Sequence, residues 1–430
     1  MDYSLKKRVT LNFLFFFLII FSYYIAKPIR NSLFLEWMGP EQLPFVYLLS
    51  SFITLLGAFL FDFLLNRVRP RFLVPASLLF FCLALAAFWS AFKVFDQLGP
   101  SLSFVLFLFI SFFAVVSVTL FWSTCNDSFK EGEGRAVYSW IGLGGILGGI
   151  AGGEATKRLA VAVGTENLLL LSAVILFLAL PLPYFSIAKT HPGPARGPVI
   201  RGSVPNEFKA AHGLGIIFRN RYVALIAGLV VIGTLVATLF DFQYQSIIKE
   251  AALPKDERTA LFGRIFSYIN LIAIGTHLFI TRFLLRKLGP SAGLLPLPVI
   301  ALFGAALLGA APVLATVVVL WSVSGGLAYS LNQVSKESLY LPTSREVKYK
   351  AKMFIDTFGY RFGDAIASLL MLLLVNMMGM PARSLLAGNI ILALCWLGLV
   401  LFLYVRYFRK GGGKASVSLC NERSNDEERR

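Results

Sequence analysis

The chain has 430 residues, a formal net charge of +17 and 57% hydrophobic side chains, with a mean hydropathy of +0.73. That is too apolar for a water-soluble globular core, so lipid is the solvent and helices pack against helices around internal polar surfaces. Cys82, Cys125, Cys395 and Cys420 show no paired spacing, and His191, His212 and His277 are too scattered for ligand spacing, so no disulfide frame, metal site or cofactor is expected.

The first apolar stretch, residues 11–30, runs through Phe13, Leu14, Phe15, Phe16, Phe17, Leu18 and Ile19 to Tyr23, Tyr24, Lys27, Pro28 and Arg30. At about 1.5 Å per residue it crosses a bilayer as one helix. Two cations and a proline near its end are costly in lipid unless they face protein or water, which places Lys27 and Arg30 at a polar cavity. Lys6, Lys7 and Arg8 precede it without a small-residue cleavage site, arguing against a removed signal peptide.

About twelve apolar spans follow the 20-residue template, at roughly 9–28, 43–65, 72–93, 102–124, 136–156, 167–187, 222–247, 259–284, 290–310, 313–334, 353–378 and 384–406. With the N-terminus inside, the inner connections hold most of the cations: Arg67, Arg69 and Arg71, then Lys130 and Arg135, then Lys189 to Arg221, then Arg282, Arg286 and Lys287, then Lys336 to Lys352. The outer connections are poorer, with Lys93, Lys157, Arg158, Lys249, Lys255, Arg258 and Arg383. This positive-inside asymmetry accounts for the basic balance without nucleic acid and puts both termini in the cytoplasm of a cell that carries the chain in its inner or plasma membrane. The longest polar interval, rich in Pro, Gly and Arg around residues 191–207, divides the spans six and six. The expected organisation is an N-terminal bundle at 1–187, a cytoplasmic linker at 188–221, a C-terminal bundle at 222–408 and a disordered, solvated tail at 409–430.

The halves look related. At an offset of 219, Phe21 falls on Phe240, Arg30 on Lys249 and Arg67 on Arg286; at 215, Arg135 falls on Lys350, Gly144 on Gly359 and Gly148 on Gly363. Six spans per half keep both copies in one orientation. The expected fold is therefore all-α and polytopic, two pseudo-symmetric six-helix bundles, which resembles the architecture of the major facilitator superfamily with substrate bound near the midplane.

Ionisable residues inside a membrane are functional candidates by default. Besides Lys27 and Arg30 these are Asp241, Lys249, Arg264, Asp356, Arg361 and Asp364, read as substrate-binding or gating residues. Asp241, amid Phe240, Phe242, Gln243, Tyr244 and Gln245, is the counterpart of the polar end of span one; an interdomain salt bridge is the competing role. Arg361 and Asp364 lie three apart on one helix and can pair with each other, and Asp356, one turn before Tyr360, is placed to join them. Arg264, early in span eight, can equally be a structural cation. Tyr24, Trp122 and Tyr244 are the candidate cavity-lining aromatics. Asp62, Arg67 and Arg71 flank the loop between spans two and three and read as a cytoplasmic latch. The glycine run from Gly142 to Gly153 lacks the strand and the Gly-Lys-Ser/Thr of a phosphate loop; glycines four apart read instead as close helix packing. No HExxH, Ser/His/Asp set or paired carboxylates mark an enzyme.

Tyr24 to Arg30, Phe121-Trp122 followed by Asn126, Asp241 to Gly263 with Glu257 and Phe262-Gly263, and Lys348 to Lys352 running into Ile355-Asp356 together resemble the nucleotide transporter family, which includes the ATP/ADP antiporters of plastids and intracellular bacteria. The resemblance implies a secondary transporter of a nucleotide or similar anionic solute, working by alternating access and exchange; a monomer is expected. It singles out Arg30 and Asp241. Two positions depart: the acid the family places in its fourth helix falls at Ile110, and a base of its eleventh helix falls at Asp364. A proton-coupled facilitator for another organic solute is the alternative, with Asp241, Asp356 or Asp364 titrating.

Overall fold

The computed structural model describes residues 3–68, 70–129, 133–186, 210–344 and 347–408. Arg69, most of the predicted linker and the tail 409–430 lie outside the described residues, as do the side chains of Asp62 and Arg71. Among the described residues the backbone is helical throughout, with short turns and no strand. Among the described residues, eleven helical segments are long and apolar enough to cross a membrane. The predicted fifth span is also one continuous helix, Glu133–Val163, whose glycines lower its mean hydropathy.

The chain divides into two compact units. One comprises Met1–Ser203 together with Ile248–Leu271; the other comprises Val204–Ile247 together with Ile272–Arg430. In chain order the helices are α1 (Tyr3–Trp37), α2 (Leu43–Arg67), α3 (Pro70–Val94), α4 (Gly99–Ser128), α5 (Glu133–Val163), α6 (Asn167–Ala179), α7 (Leu182–Ser186), α8 (Ala210–Arg219), α9 (Arg221–Glu250), α10 (Lys255–Gly275), α11 (Arg282–Leu288), α12 (Pro296–Ala310), α13 (Leu314–Leu327), α14 (Gln333–Leu339), α15 (Lys352–Phe354), α16 (Tyr360–Met371) and α17 (Leu385–Leu403). Several long helices of the second half contain π-helical turns, among them Thr276–Thr281 and Ala328–Asn332.

In the first unit α1 is the central helix and packs against α4, α5 and α6. Phe15, Ile19, Ile25, Ala26, Ile29, Leu33 and Phe34 are fully buried, more than one stripe of its surface, as expected of a helix surrounded by others. The closest approach is to α5. A Cβ built on Gly144, Gly148 or Gly152 would lie 2.5, 2.5 or 2.7 Å from the carbonyl oxygens of Phe13, Phe17 and Phe21, so this ridge of α5 runs along the backbone of α1. The next ridge does the same for α10: a Cβ on Gly153 would lie 2.7 Å from the Gly263 carbonyl, and one on Gly263 would lie 2.8 Å from the Gly153 carbonyl. Small residues permit this in lipid, where association depends on close packing rather than on hydrophobic gain. Ser22 and Ser172 fasten α1 to α6 by donating to each other's carbonyl, each at 2.9 Å.

In the second unit α12 packs on α13 and α17. Gly363 of α16 lies against Thr234 and the Val231 carbonyl of α9, a close approach that its missing side chain permits. Gln243 and Asn389 join α9 to α17 through a buried amide bond of 2.9 Å.

The α5 ridge gives a direct test. Gly148→Val forces a branched side chain into the Phe17 carbonyl and is expected to destabilise the protein by about 1–3 kcal/mol. Gly142→Ala, where an added Cβ meets nothing within 4 Å, leaves stability unchanged. Thermal melting of both variants in detergent makes the comparison.

Candidate functional site

The polar end of α1 is built by its register. Tyr24, Lys27 and Arg30 follow at helical spacing, and Pro28 between them withholds an amide from the Tyr24 carbonyl. Lys27 and Arg30 are half-buried. The Lys27 ammonium sits 4.1 Å from the ring centroid of Phe266 and 5.8 Å from that of Tyr24. The Arg30 guanidinium lies 4.1 Å from the centroid of Phe107 on α4. It donates from Nε and Nη2 to Asn31 Oδ1 at 3.0 and 2.9 Å, and from Nη1 to Ser111 Oγ at 3.1 Å. Among the described residues neither cation has a carboxylate within ion-pair distance. Each is held by an aromatic face, a contact worth about 0.5–2 kcal/mol, and Arg30 also by neutral oxygens. Among the described residues, neither charge is cancelled by a carboxylate. Tyr24 itself is buried and meets Phe266 edge to face.

The acidic candidates belong to the second unit. Asp241 is half-buried on α9 and accepts from Gln245 Nε2 at 2.8 Å. One turn earlier, Thr238 Oγ1 donates to Asp364 Oδ1 on α16 at 2.7 Å. Arg361 Nη1 reaches Asp364 Oδ2 at 3.3 Å, the i,i+3 pair that the spacing suggests. Asp241 lies near enough to Asp364 for the two carboxylates to repel. Tyr244 is buried, stacked on Phe240 and 5.2 Å from the Trp321 ring centroid.

Asp356 is not drawn into this group. It is 46% exposed and pairs with Lys352 at 3.6 Å, while Lys352 also binds Glu337 at 2.9 Å. The hydroxyl of Tyr360 is taken by Lys336 instead. Asp356 and Asp364 differ by eight residues on a helix interrupted by the π-helical turn Ile355–Gly359, which shifts the register that sequence spacing assumes. Trp122 lies in a cluster with Phe16, Phe121 and Tyr138 on the first unit, and Tyr138 donates to Asn126 at 3.0 Å. Lys249, half-buried at the end of α9, interacts with Glu36 of α1. Arg264 is exposed on α10, without an ion pair among the described residues. Of the latch residues only Arg67 can be placed, with its guanidinium 4.3 Å from the Phe63 ring centroid. Ile110 is fully buried on α4.

One polar cluster has no counterpart in the sequence reading beyond a charge count. Arg258 is 2% exposed, the largest fully buried side chain of the chain's described residues. It donates to Glu36 Oε2 at 2.5 Å, to the Ser32 carbonyl at 3.1 Å and to Ser32 Oγ at 3.3 Å. The only available signal was the spacing Lys255-Asp256-Glu257-Arg258 at the start of a helix, which looks like an ordinary solvated turn.

Described residues that are helical throughout, with eleven hydropathic spans, cations in the first span that lack a carboxylate among them, and two half-buried carboxylates on α9 and α16 define a polytopic membrane protein of the transporter class. The family model of the Major Facilitator Superfamily matches residues 11–345, and the chain belongs to that family. Among curated relatives, ADP,ATP carrier protein 1 of Chlamydia pneumoniae is 23% identical, over 85% of this chain and 84% of its own length. ADP,ATP carrier protein 2, chloroplastic, of Arabidopsis thaliana is 25% identical, over 89% and 71%. Among solved structures, the nucleoside transporter NupG superposes with a TM-score of 0.64 at 15% identity, covering 95% of this chain and all of that one. An auto-inhibited POT family peptide transporter superposes at 0.64 and 14%, covering 95% and 98%.

The Arg361–Asp364 pair gives a second prediction. Arg361→Gln leaves a carboxylate beside Asp241 without its guanidinium and is expected to destabilise, and adding Asp364→Asn restores most of the loss. A coupling energy of about 0.5–3 kcal/mol from the double-mutant cycle is the expected result; additive losses would show that the pair is not formed in the membrane.

Proposed function

We infer that the protein is a secondary transporter exchanging a nucleotide or a closely related organic anion across a cell's inner membrane. The observation that carries this reading is the cation pair Lys27 and Arg30, each set on an aromatic ring and neither neutralised by a carboxylate among the described residues. A cation in a membrane interior is costly unless hydrated or paired, and an arriving multivalent anion supplies the missing pairing. Arginine and lysine suit different parts of a phosphate chain, the first by its planar fork and the second as a point charge. The names of the ADP,ATP carrier relatives support nucleotide exchange as the first substrate class to test.

Asp241, with Asp364 nearby, balances charge as the transporter changes state, and Lys249 and Arg264 act at the far end of the spans. The protein works as a monomer with both termini cytoplasmic, and its sequence halves, 1–187 and 222–408, act as the two moving bodies. It performs no covalent chemistry.

The test is counter-exchange in proteoliposomes. Vesicles preloaded with ADP are expected to take up labelled ATP several-fold faster than empty ones. Loss of one charge-assisted contact costs about 1.5–3 kcal/mol, so Arg30→Gln is expected to reduce exchange about 10- to 100-fold, and Lys27→Gln about 10-fold. Equal uptake by empty and preloaded vesicles for every nucleotide tried would overturn nucleotide exchange. Uptake of another solute driven by a pH gradient, lost in Asp241→Asn, would establish proton coupling instead.

A further inference from the structure

The short helix α8 stands just before the membrane span Arg221–Glu250, separated from it by Asn220 alone. Asn220 Oδ1 accepts from the amides of Tyr222 and Val223 at 3.0 and 3.3 Å, the side-chain cap that opens a new helix. The chain therefore turns at Asn220, and α8 lies at the end of the span, at the membrane surface. Its place there is fixed within the second unit. It packs on the π-helical turn Val347–Ala351 and on α15, and Ile217, Val347 and Ala351 are all buried.

Beside that buried contact α8 presents a second apolar face. Leu214 is 39% exposed, and Phe218, one turn later on the same face, is 82% exposed. The border of this face is basic. Arg219 and Arg221 are exposed next to Phe218, Lys350 is exposed on the turn that α8 packs against, and Lys348 is half-buried there. Glu337 and Asp356, on the elements that precede and follow this turn, are both bound by Lys352, at 2.9 and 3.6 Å. An apolar stripe bordered by Arg and Lys is the composition of a helix lying in the headgroup layer of a bilayer. Cations held at that depth favour anionic over neutral lipid.

We propose that α8 and the turn Val347–Ala351 form a docking surface for anionic phospholipid. Leu214 and Phe218 enter the acyl boundary, while Arg219, Arg221, Lys348 and Lys350 hold the headgroup phosphates. The anchor reaches the spans directly. Just past the turn, Lys352 joins Glu337 of α14 to Asp356 at the start of span eleven. On the other side, the Tyr222 hydroxyl donates to the Leu339 carbonyl at 2.8 Å. Bound lipid therefore braces the ends of spans seven, ten and eleven together. The surface depends neither on the solute nor on which side of the membrane it faces.

The test uses the full-length chain in phosphatidylcholine vesicles, with Cys82, Cys125, Cys395 and Cys420 replaced by serine and Leu214→Cys carrying a bimane fluorophore. The quencher is a trace of phosphatidylglycerol or of phosphatidylcholine, each spin-labelled at the same acyl position. In low salt the phosphatidylglycerol is expected to quench at least about five-fold more strongly, the preference that a single basic side chain confers near the surface. That preference is expected to vanish when Arg219→Gln and Lys350→Gln are combined, and to vanish in high salt without them. Equal quenching by the two headgroups in low salt, with Arg219 and Lys350 in place, would overturn the proposal. Quenching by aqueous iodide but by neither lipid would overturn it too, because water or another protein would then cover α8. Melting confirms that the Arg219→Gln, Lys350→Gln protein is folded, and the salt arm judges the proposal without it.

Discussion

The contact on which the arrangement of this membrane protein most depends is the backbone approach of α5 to its neighbours. In lipid, apolar side chains gain little by leaving their surroundings for one another, so helices are located by how closely they can pack. Two adjacent glycine ridges on α5 settle this for two partners at once. Gly144, Gly148 and Gly152 fix α1 in depth and rotation, and Gly153 receives Gly263 of α10. Because α1 carries Lys27 and Arg30 while α10 carries Phe266 and Arg258, one helix without ionisable candidates of its own positions the charges that matter.

Those charges are treated in two different ways. Arg361 and Asp364 satisfy each other locally, and a neutralised pair offers little field to a solute. Arg258 is buried but matched to a carboxylate and a carbonyl, so its charge is spent on joining α10 to α1. Among the described residues, Lys27 and Arg30 are stabilised only by rings and neutral oxygens. A ring face lowers the cost of holding a cation in a poorly hydrated place while leaving its charge uncancelled. On the function proposed above, this is the arrangement that would receive an anion, because no carboxylate among the described residues competes with it.

Some of the site was legible in the sequence because it is encoded locally. The i,i+3 spacing of Arg361 and Asp364 is their ion pair, and glycines four apart on α5 are its packing face. The outlying position of Asp356 was not legible, since the π-helical turn Ile355–Gly359 alters the register between residues that a regular helix would align. Nor was the role of Arg258 visible: its partners Ser32 and Glu36 lie 226 and 222 residues away, and nothing in the Lys255 to Arg258 turn distinguishes it from a solvated helix start.

By itself the sequence determined that the chain is a bundle of membrane-spanning helices, where most of those helices run, and which of their residues carry charge into the membrane. These properties depend only on the thickness of the hydrocarbon layer and the rise of a helix, both local quantities. The tertiary structure alone decided which cations are neutralised and which are not, and that the start of span eight belongs with the first unit. Ion pairing and helix docking depend on groups brought together from distant parts of the chain, and no local pattern specifies the partner.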